Sequence, residues 1–184
     1  MATQPETSLV YAPPARWIHW LTVPFILLAI PAGIAMKNVG QGGLQDWLYD
    51  FHRSLGTCVL VLAILRVLIK IKVGSIPAHP TLAALQRIVA TAVHHLLYVF
   101  VLVVPLLGWA GTSAYGAKII VFGLFELPPI LAQDQPLGEA ILWWHGSAAI
   151  VLTLLVGMHI GAALMHGFIL KDGVLQRMLP SWPR

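Results

Sequence analysis

The sequence predicts an all-α fold: an integral membrane four-helix bundle, one membrane domain over residues 1–184, with both termini cytoplasmic. Three observations predict it. The 184 residues are 58% hydrophobic and only 10% charged, with mean hydropathy +0.82, whereas soluble domains carry about 25% charged residues. Four apolar stretches are each long enough to cross a hydrocarbon core of about 30 Å. The basic residues gather on one side of these stretches, and that bias sets orientation.

Residues 1–14 are polar and Pro-containing and read as a cytoplasmic tail. No basic segment there runs straight into an apolar core, so no cleavable signal peptide is expected, and the first helix serves as the targeting signal. Pro13 and Pro14 suit a helix start. Helix one spans about residues 15–36, with Arg16, Trp17 and Trp20 as interface residues and His19 one turn inside. After a short Gly-rich connection, helix two spans about 44–71. His52 lies near its start, and Gly56, one turn on, leaves room beside the imidazole. Arg66 follows His52 by fourteen residues, so it shares the interior stripe at the opposite membrane level. A buried guanidinium needs a counter-charge. No acidic residue lies in the apolar part of any helix, so either a foreign anion meets Arg66 or the side chain snorkels to the interface.

Residues 70–80 form a basic, Pro-containing loop. Thr81 is a cap candidate for helix three, about 81–111, which holds Arg87 near its entrance and Pro105 as a kink site. His94 and His95 are adjacent, so only one can face the interior squarely. Residues 112–139 are the longest connection. Their apolar patch, IIVFGLFELPPIL, is too short and Pro-rich to span and is expected to lie along the membrane surface. Helix four covers about 140–168, and a short basic tail follows. The single cysteine, Cys58, excludes an intrachain disulfide and a thiolate metal site; it reads as a small buried residue.

Helix four carries the strongest signal. Trp143–His166, WWHGSAAIVLTLLVGMHIGAALMH, has no Lys, Arg, Asp or Glu. His145 and His159 are fourteen residues apart, nearly four whole turns, so both imidazoles point to one side with a rise of roughly 21 Å. One therefore lies in each leaflet. Ala148, Ala149, Ala162 and Ala163 leave space beside them for a bulky flat ligand. The plain alternative is two histidines hydrogen-bonded to neighbouring helices.

Charge places Arg16, Lys70, Lys72, Arg87, Lys171, Arg177 and Arg184 on the side of the termini, against Lys37, Arg53 and Lys118 on the other. With that topology His52 and His145 are the two histidines at the outer level. His19, His94 or His95, and His159 lie at the inner level, His166 near the inner interface and His79 in a loop. One pair outside and at least one inside is what two bis-histidine haems require, and filled axial positions suit electron transfer rather than oxygen binding. A propionate then supplies the anion for Arg66, and Arg53 is placed to serve the outer haem similarly. With no Cys-x-x-Cys-His run, the haems would be b-type and non-covalent.

These residues resemble a family. RWIHW (16–20), FHRSLG (51–56), ILRVLIK (64–70), HHLLYVFVLVVPLLGW (94–109), WWHGSAA (143–149) and GMHIGAALMHGFILKDGVLQRMLP (157–180) are similar to segments of the bacterial di-haem cytochrome b561 family, and more distantly to the cytochrome b subunits of hydrogenases and formate dehydrogenases. The resemblance implies that His52 and His145 ligate the outer haem and His19 and His159 the inner one. His94 matches a helix-three histidine that is not a ligand in the family, near a propionate or a quinone. It further implies a multi-pass protein of the bacterial inner membrane that moves electrons between an outer donor and the quinone pool, as in superoxide oxidation coupled to ubiquinone reduction. Three bases against five acids in the outer loops depart from what attraction of superoxide would favour. The alternative is a cytochrome b subunit fed by a partner dehydrogenase or cytochrome. A third class is a non-redox proton or metal transporter. A quinone is expected near the inner haem, within reach of His94, His166, Arg87 and Trp20, the alternative being an outer site covered by the apolar loop 119–131. Lipid is the surrounding partner, and no nucleic acid is expected.

Overall fold

A computed structural model describes residues 10–74, 76–79 and 82–180. Four helices, α1 (Pro13–Asn38), α2 (Gly43–Val73), α3 (Ala84–Tyr115) and α4 (Gln135–Leu164), are each long and apolar enough to cross a membrane. A hairpin of two short antiparallel strands, β1 (Ile119–Val121) and β2 (Phe125–Leu127), interrupts the α3–α4 connection. A π-helical turn over Met165–Leu170 extends α4, and a 3₁₀ turn follows at Leu175–Arg177. The chain enters and leaves at one end, called here the terminal end; the hairpin end is opposite.

The helix boundaries have local causes. Pro13 and Pro14 open α1, since the first turn has no use for their missing N–H groups. Gly74, at φ 82, closes α2. The expected cap Thr81 lies outside the described residues; α3 starts at Ala84, where Gln86 Oε1 accepts the Ala83 N–H at 2.9 Å. α4 starts five residues before the expected 140, because Asp134 caps it, its carboxylate accepting Leu137 N–H at 3.1 Å, and Pro136 sits in the first turn. The patch at 119–131, expected not to span, contains the hairpin. Its alternation, Ile119 and Val121 inward and Ile120 outward, is the period of two that a strand needs.

α1 packs closely on α2 and α3 on α4, α2 meets α3 more sparsely, and α4 barely touches α1 or α2. The buried core is a mid-height layer, Val59 and Ala63 of α2, Val101 and Val104 of α3 and Leu152 of α4, flanked by Phe25 and Ile26 of α1. Val59 is seven residues from both His52 and Arg66, and Leu152 seven from both His145 and His159. The apolar layer therefore sits midway between the two histidine levels. At the terminal end the carboxyl tail folds under the bundle. Arg16 donates to Leu179 O at 2.9 Å, Trp20 Nε1 to Met178 O at 2.8 Å, and Arg177 to Pro77 O at 2.7 Å.

Candidate metal centres in the bundle

At the hairpin end, His52 of α2 and His145 of α4 face one another with ring centres 6.0 Å apart and planes at 79°. Each ring is fixed from behind by the other helix of its own pair. His52 Nδ1 is 2.9 Å from Ala29 O of α1, and His145 Nδ1 is 2.9 Å from Val104 O of α3. Such a bond, with Nδ1–H donating, leaves Nε2 free to turn toward the partner ring, the usual arrangement behind a metal-bound imidazole. Four residues along each backing helix stands a glycine. A Cβ on Gly33 would lie 2.9 Å from His52 Cε1, and one on Gly108 would lie 3.1 Å from His145 Cε1. Both rings thus bring their Cε1–Nδ1 edge close against bare backbone.

At the terminal end, His159 of α4 lies 6.1 Å from His19 of α1, planes at 75°, and 5.3 Å from His94 of α3. His19 Nδ1 is buried and has no hydrogen-bond partner among the described residues. Arg66 and Lys70 both approach the Tyr98 ring, at 5.4 and 4.2 Å, and Arg66 makes no ion pair with a carboxylate among the described residues. Tyr98 was not legible as part of this cluster, and Lys70 rests on the ring rather than running out to the headgroups. Arg53 turns away from the histidines toward Asp50 and the Lys118 carbonyl, both at 3.4 Å, and the Tyr49 ring at 5.3 Å. Lys37, passed over in the sequence, ends instead beside Gly146, near enough for its charge to reach both His52 and His145. His166 is buried and pairs with Asp172 at 2.6 Å. His95 lines an open groove with Arg87, Ile88, Thr91 and Ala92.

The two spacings can be tested against a metal. Two metal–imidazole bonds of about 2.0 Å in line, with each ring centre about 1.1 Å beyond its nitrogen, separate the centres by roughly 6.2 Å. The pairs at 6.0 and 6.1 Å fit; His94 and His159 at 5.3 Å are too close, on helices already packed together. Among the described residues no three His, Cys, Asp or Glu side chains converge on one point. Paired imidazoles alone suit a metal whose remaining ligands come from a macrocycle, and such a group would lie between α4 and the α1–α2 pair, where the paired rings stand.

A membrane-spanning helical bundle with imidazoles opposed in pairs between its helices defines a membrane cytochrome of the b type. A model of the prokaryotic cytochrome b561 family matches residues 10–181, and the chain belongs to that family, a bacterial membrane protein of haem-based electron transfer. It is 29% identical over 164 residues to the probable superoxide oxidase CybB of Yersinia pestis, covering 89% of this chain and 92% of the relative. It is 31% identical over 166 residues to cytochrome b561 homolog 1 of Escherichia coli K12, covering 89% and 93%. It is 30% identical over 173 residues to cytochrome b562 of Cereibacter sphaeroides, covering 88% and 90%.

Proposed function

We propose that this single membrane domain carries electrons across the bacterial inner membrane through two haem b groups, one between His52 and His145 and one between His19 and His159. Both termini are taken as cytoplasmic, on the bias of basic residues toward that end. The reading rests on one observation: two imidazole pairs at 6.0 and 6.1 Å joining α4 to helices it otherwise barely touches. Bound there, each haem would supply a one-electron redox couple.

The chain's own residues do the rest. Ala29 and Val104 carbonyls hold the outer imidazoles in one tautomer and orientation. Arg66, with Lys70 beside it on Tyr98, offers a two-pronged cation to an inner propionate. Lys37 offers the outer level a cation, a role that Arg53 fills less directly because Asp50 and Lys118 already engage it. His94 stands beside the inner pair as a polar neighbour rather than a ligand. The midway layer of Val59, Val101 and Leu152 keeps water out of the space between levels.

The electron acceptor is the quinone pool, with ubiquinone as the substrate class. Its site is at the inner level. Trp20 and His166 already have partners in Met178 and Asp172, so the groove of Arg87, Thr91 and His95 is the more open polar face there. For the outer donor, the name of the Yersinia relative points to superoxide, and Lys37 beside the outer pair gives a small anion a local cation despite the acidic loops. The same excess of acids, five against three bases, favours the second reading, in which a partner dehydrogenase or cytochrome delivers the electron. A non-redox proton or metal transporter is the remaining class. The test is a reduced-minus-oxidised spectrum of purified protein with haem quantification, followed by reduction with superoxide and with quinol. Two haems reduced by both support the first reading. Reduction by quinol alone moves the donor to a partner, and absence of haem absorption sinks both.

A further inference from the structure

We infer that the β1–β2 hairpin is a membrane wedge, its tip at Phe122–Phe125 inserted into the acyl boundary of the leaflet at the hairpin end. Depth is the first argument. Gly33 packs on His52, so those two share a level, and Lys37 is four residues nearer the hairpin end of α1. Glu139, the last charge before the apolar run of α4, is six residues above His145. Ser54 lies two residues deeper than His52. At 1.5 Å per residue, Ser54 is roughly 10 Å below the level of Lys37 and Glu139. Ser54 Oγ accepts the N–H of Phe122 at 2.8 Å and donates to Asp50 O at 2.7 Å, which fixes the hairpin tip at that depth. It also satisfies an amide that hydrocarbon would leave orphaned. On the α3 side Trp109 Nε1 donates to Pro128 O at 3.0 Å, six residues below the end of the helix at Tyr115. The connection therefore folds back down the bundle instead of standing above it.

The outward face of the hairpin grades in the same direction. Lys118 and Glu126 form an exposed ion pair at 2.9 Å at the base. Toward the tip come Ile120, Phe122 and Leu124, with Leu124 81% exposed, among the most exposed apolar side chains described. Turn chemistry is the second argument. Leu124 N–H bonds Val121 O at 2.9 Å across a tight turn whose central residues, Phe122 and Gly123, have φ of 48° and 74°. Such turns favour Asn-Gly, since a bulky residue at positive φ is strained. In water an asparagine there would relieve the strain; in lipid its amide would lose its partners. A strained phenylalanine at the turn is the choice that suits lipid.

The test uses the full chain in lipid nanodiscs, on a Cys58→Ser background with a nitroxide at Leu124→Cys and a water-exposed reference at Gln41→Cys. Power-saturation EPR compares collision with oxygen, which concentrates in lipid, and with a water-soluble nickel chelate. Several-fold greater oxygen accessibility at 124 than at 41, with nickel accessibility correspondingly lower, supports insertion. Nickel accessibility at 124 equal to that at 41 overturns it, as does a label shielded from both reagents, which would mean a protein partner covers the tip. In a second arm, adding Phe122→Asn should raise nickel accessibility at 124; no change overturns the role given to the turn. Neither arm depends on haem content, so the outcome is separable from the electron-transfer reading.

Discussion

Gly33 of α1 lies so close beneath the His52 imidazole that a methyl group on it would stand 2.9 Å from Cε1. Gly108 does the same for His145 from α3, at 3.1 Å. In both cases the carbonyl four residues earlier, Ala29 or Val104, holds the ring's Nδ1. The two helical pairs thus present their outer histidines by one device used twice.

Gly33→Ala is expected to push the His52 ring off its carbonyl and toward His145. Overpacking of this kind costs about 1–3 kcal/mol. The expected result is weakened outer haem retention and an altered outer midpoint, with the inner haem unchanged. Gly40→Ala, where nothing lies within 4 Å, is the control. Redox titration with haem quantification checks it, and equal loss of both haems would count against a local effect.

His52→Ala or His145→Ala should each lower haem content from two per chain to one, by pyridine haemochrome assay, leaving the inner spectrum in place. His94→Ala should leave two. A drop to one on replacing His94, with His19→Ala silent, would make His94 the inner ligand and overturn the 6.1 Å pair.

Arg66→Leu should lower the inner midpoint, because removing a cation favours the more positive oxidised state. An interaction worth roughly 1 kcal/mol corresponds to on the order of 40 mV in a one-electron couple. Arg66→Lys should restore the charge but not the two-pronged geometry, and so only part of the shift. Identical midpoints in all three proteins would leave Arg66 a snorkelling residue.

Much of this was legible in the chain itself, and the part that was not has a common cause. Helix positions follow from hydropathy, which any span must satisfy alone, and the fourteen-residue spacings fix depth because helical rise is constant. Ala29, Gly33, Val104 and Gly108 were invisible because their roles come from contacts 23 and 41 residues away in sequence, where one helix presents bare backbone to another. Lys37 was counted only as an outer base; its placement beside Gly146 depends on how α1 meets α4. The hairpin was not foreseen because its strands are only three residues each, and its Phe122–Gly123 turn lacks the usual asparagine.

Acid should release the carboxyl tail. Partial desolvation raises the Asp172 carboxyl, but hydrogen bonds from His166 and the Val174 amide outweigh it and hold the pKa below its ordinary 3.8. A depressed carboxylate stabilises the folded tail above that ordinary value, and the contribution disappears as pH falls through the lowered one. Hydrogen exchange over residues 172–180 should therefore match between pH 7 and 5 once corrected for intrinsic rates, and accelerate well below 3.8. Asp172→Asn should show the fast rate at neutral pH; unchanged protection in that variant would show that Arg16, Trp20 and Arg177 hold the tail unaided.

The layer of Val59, Val101 and Leu152 has an electrical consequence. It is a dry aliphatic partition that an electron can tunnel through and a hydrated proton cannot follow. In the proposed two-haem path, charge passed from the level of His145 to that of His159 would cross roughly 21 Å of an insulator about 30 Å thick. At ~2.3 kcal/mol per charge per 100 mV for a full crossing, each transfer works with or against the membrane voltage by about 1.6 kcal/mol per 100 mV. On that path the bundle would be a voltage-sensitive conductor, its direction set partly by the energised state of the membrane that holds it.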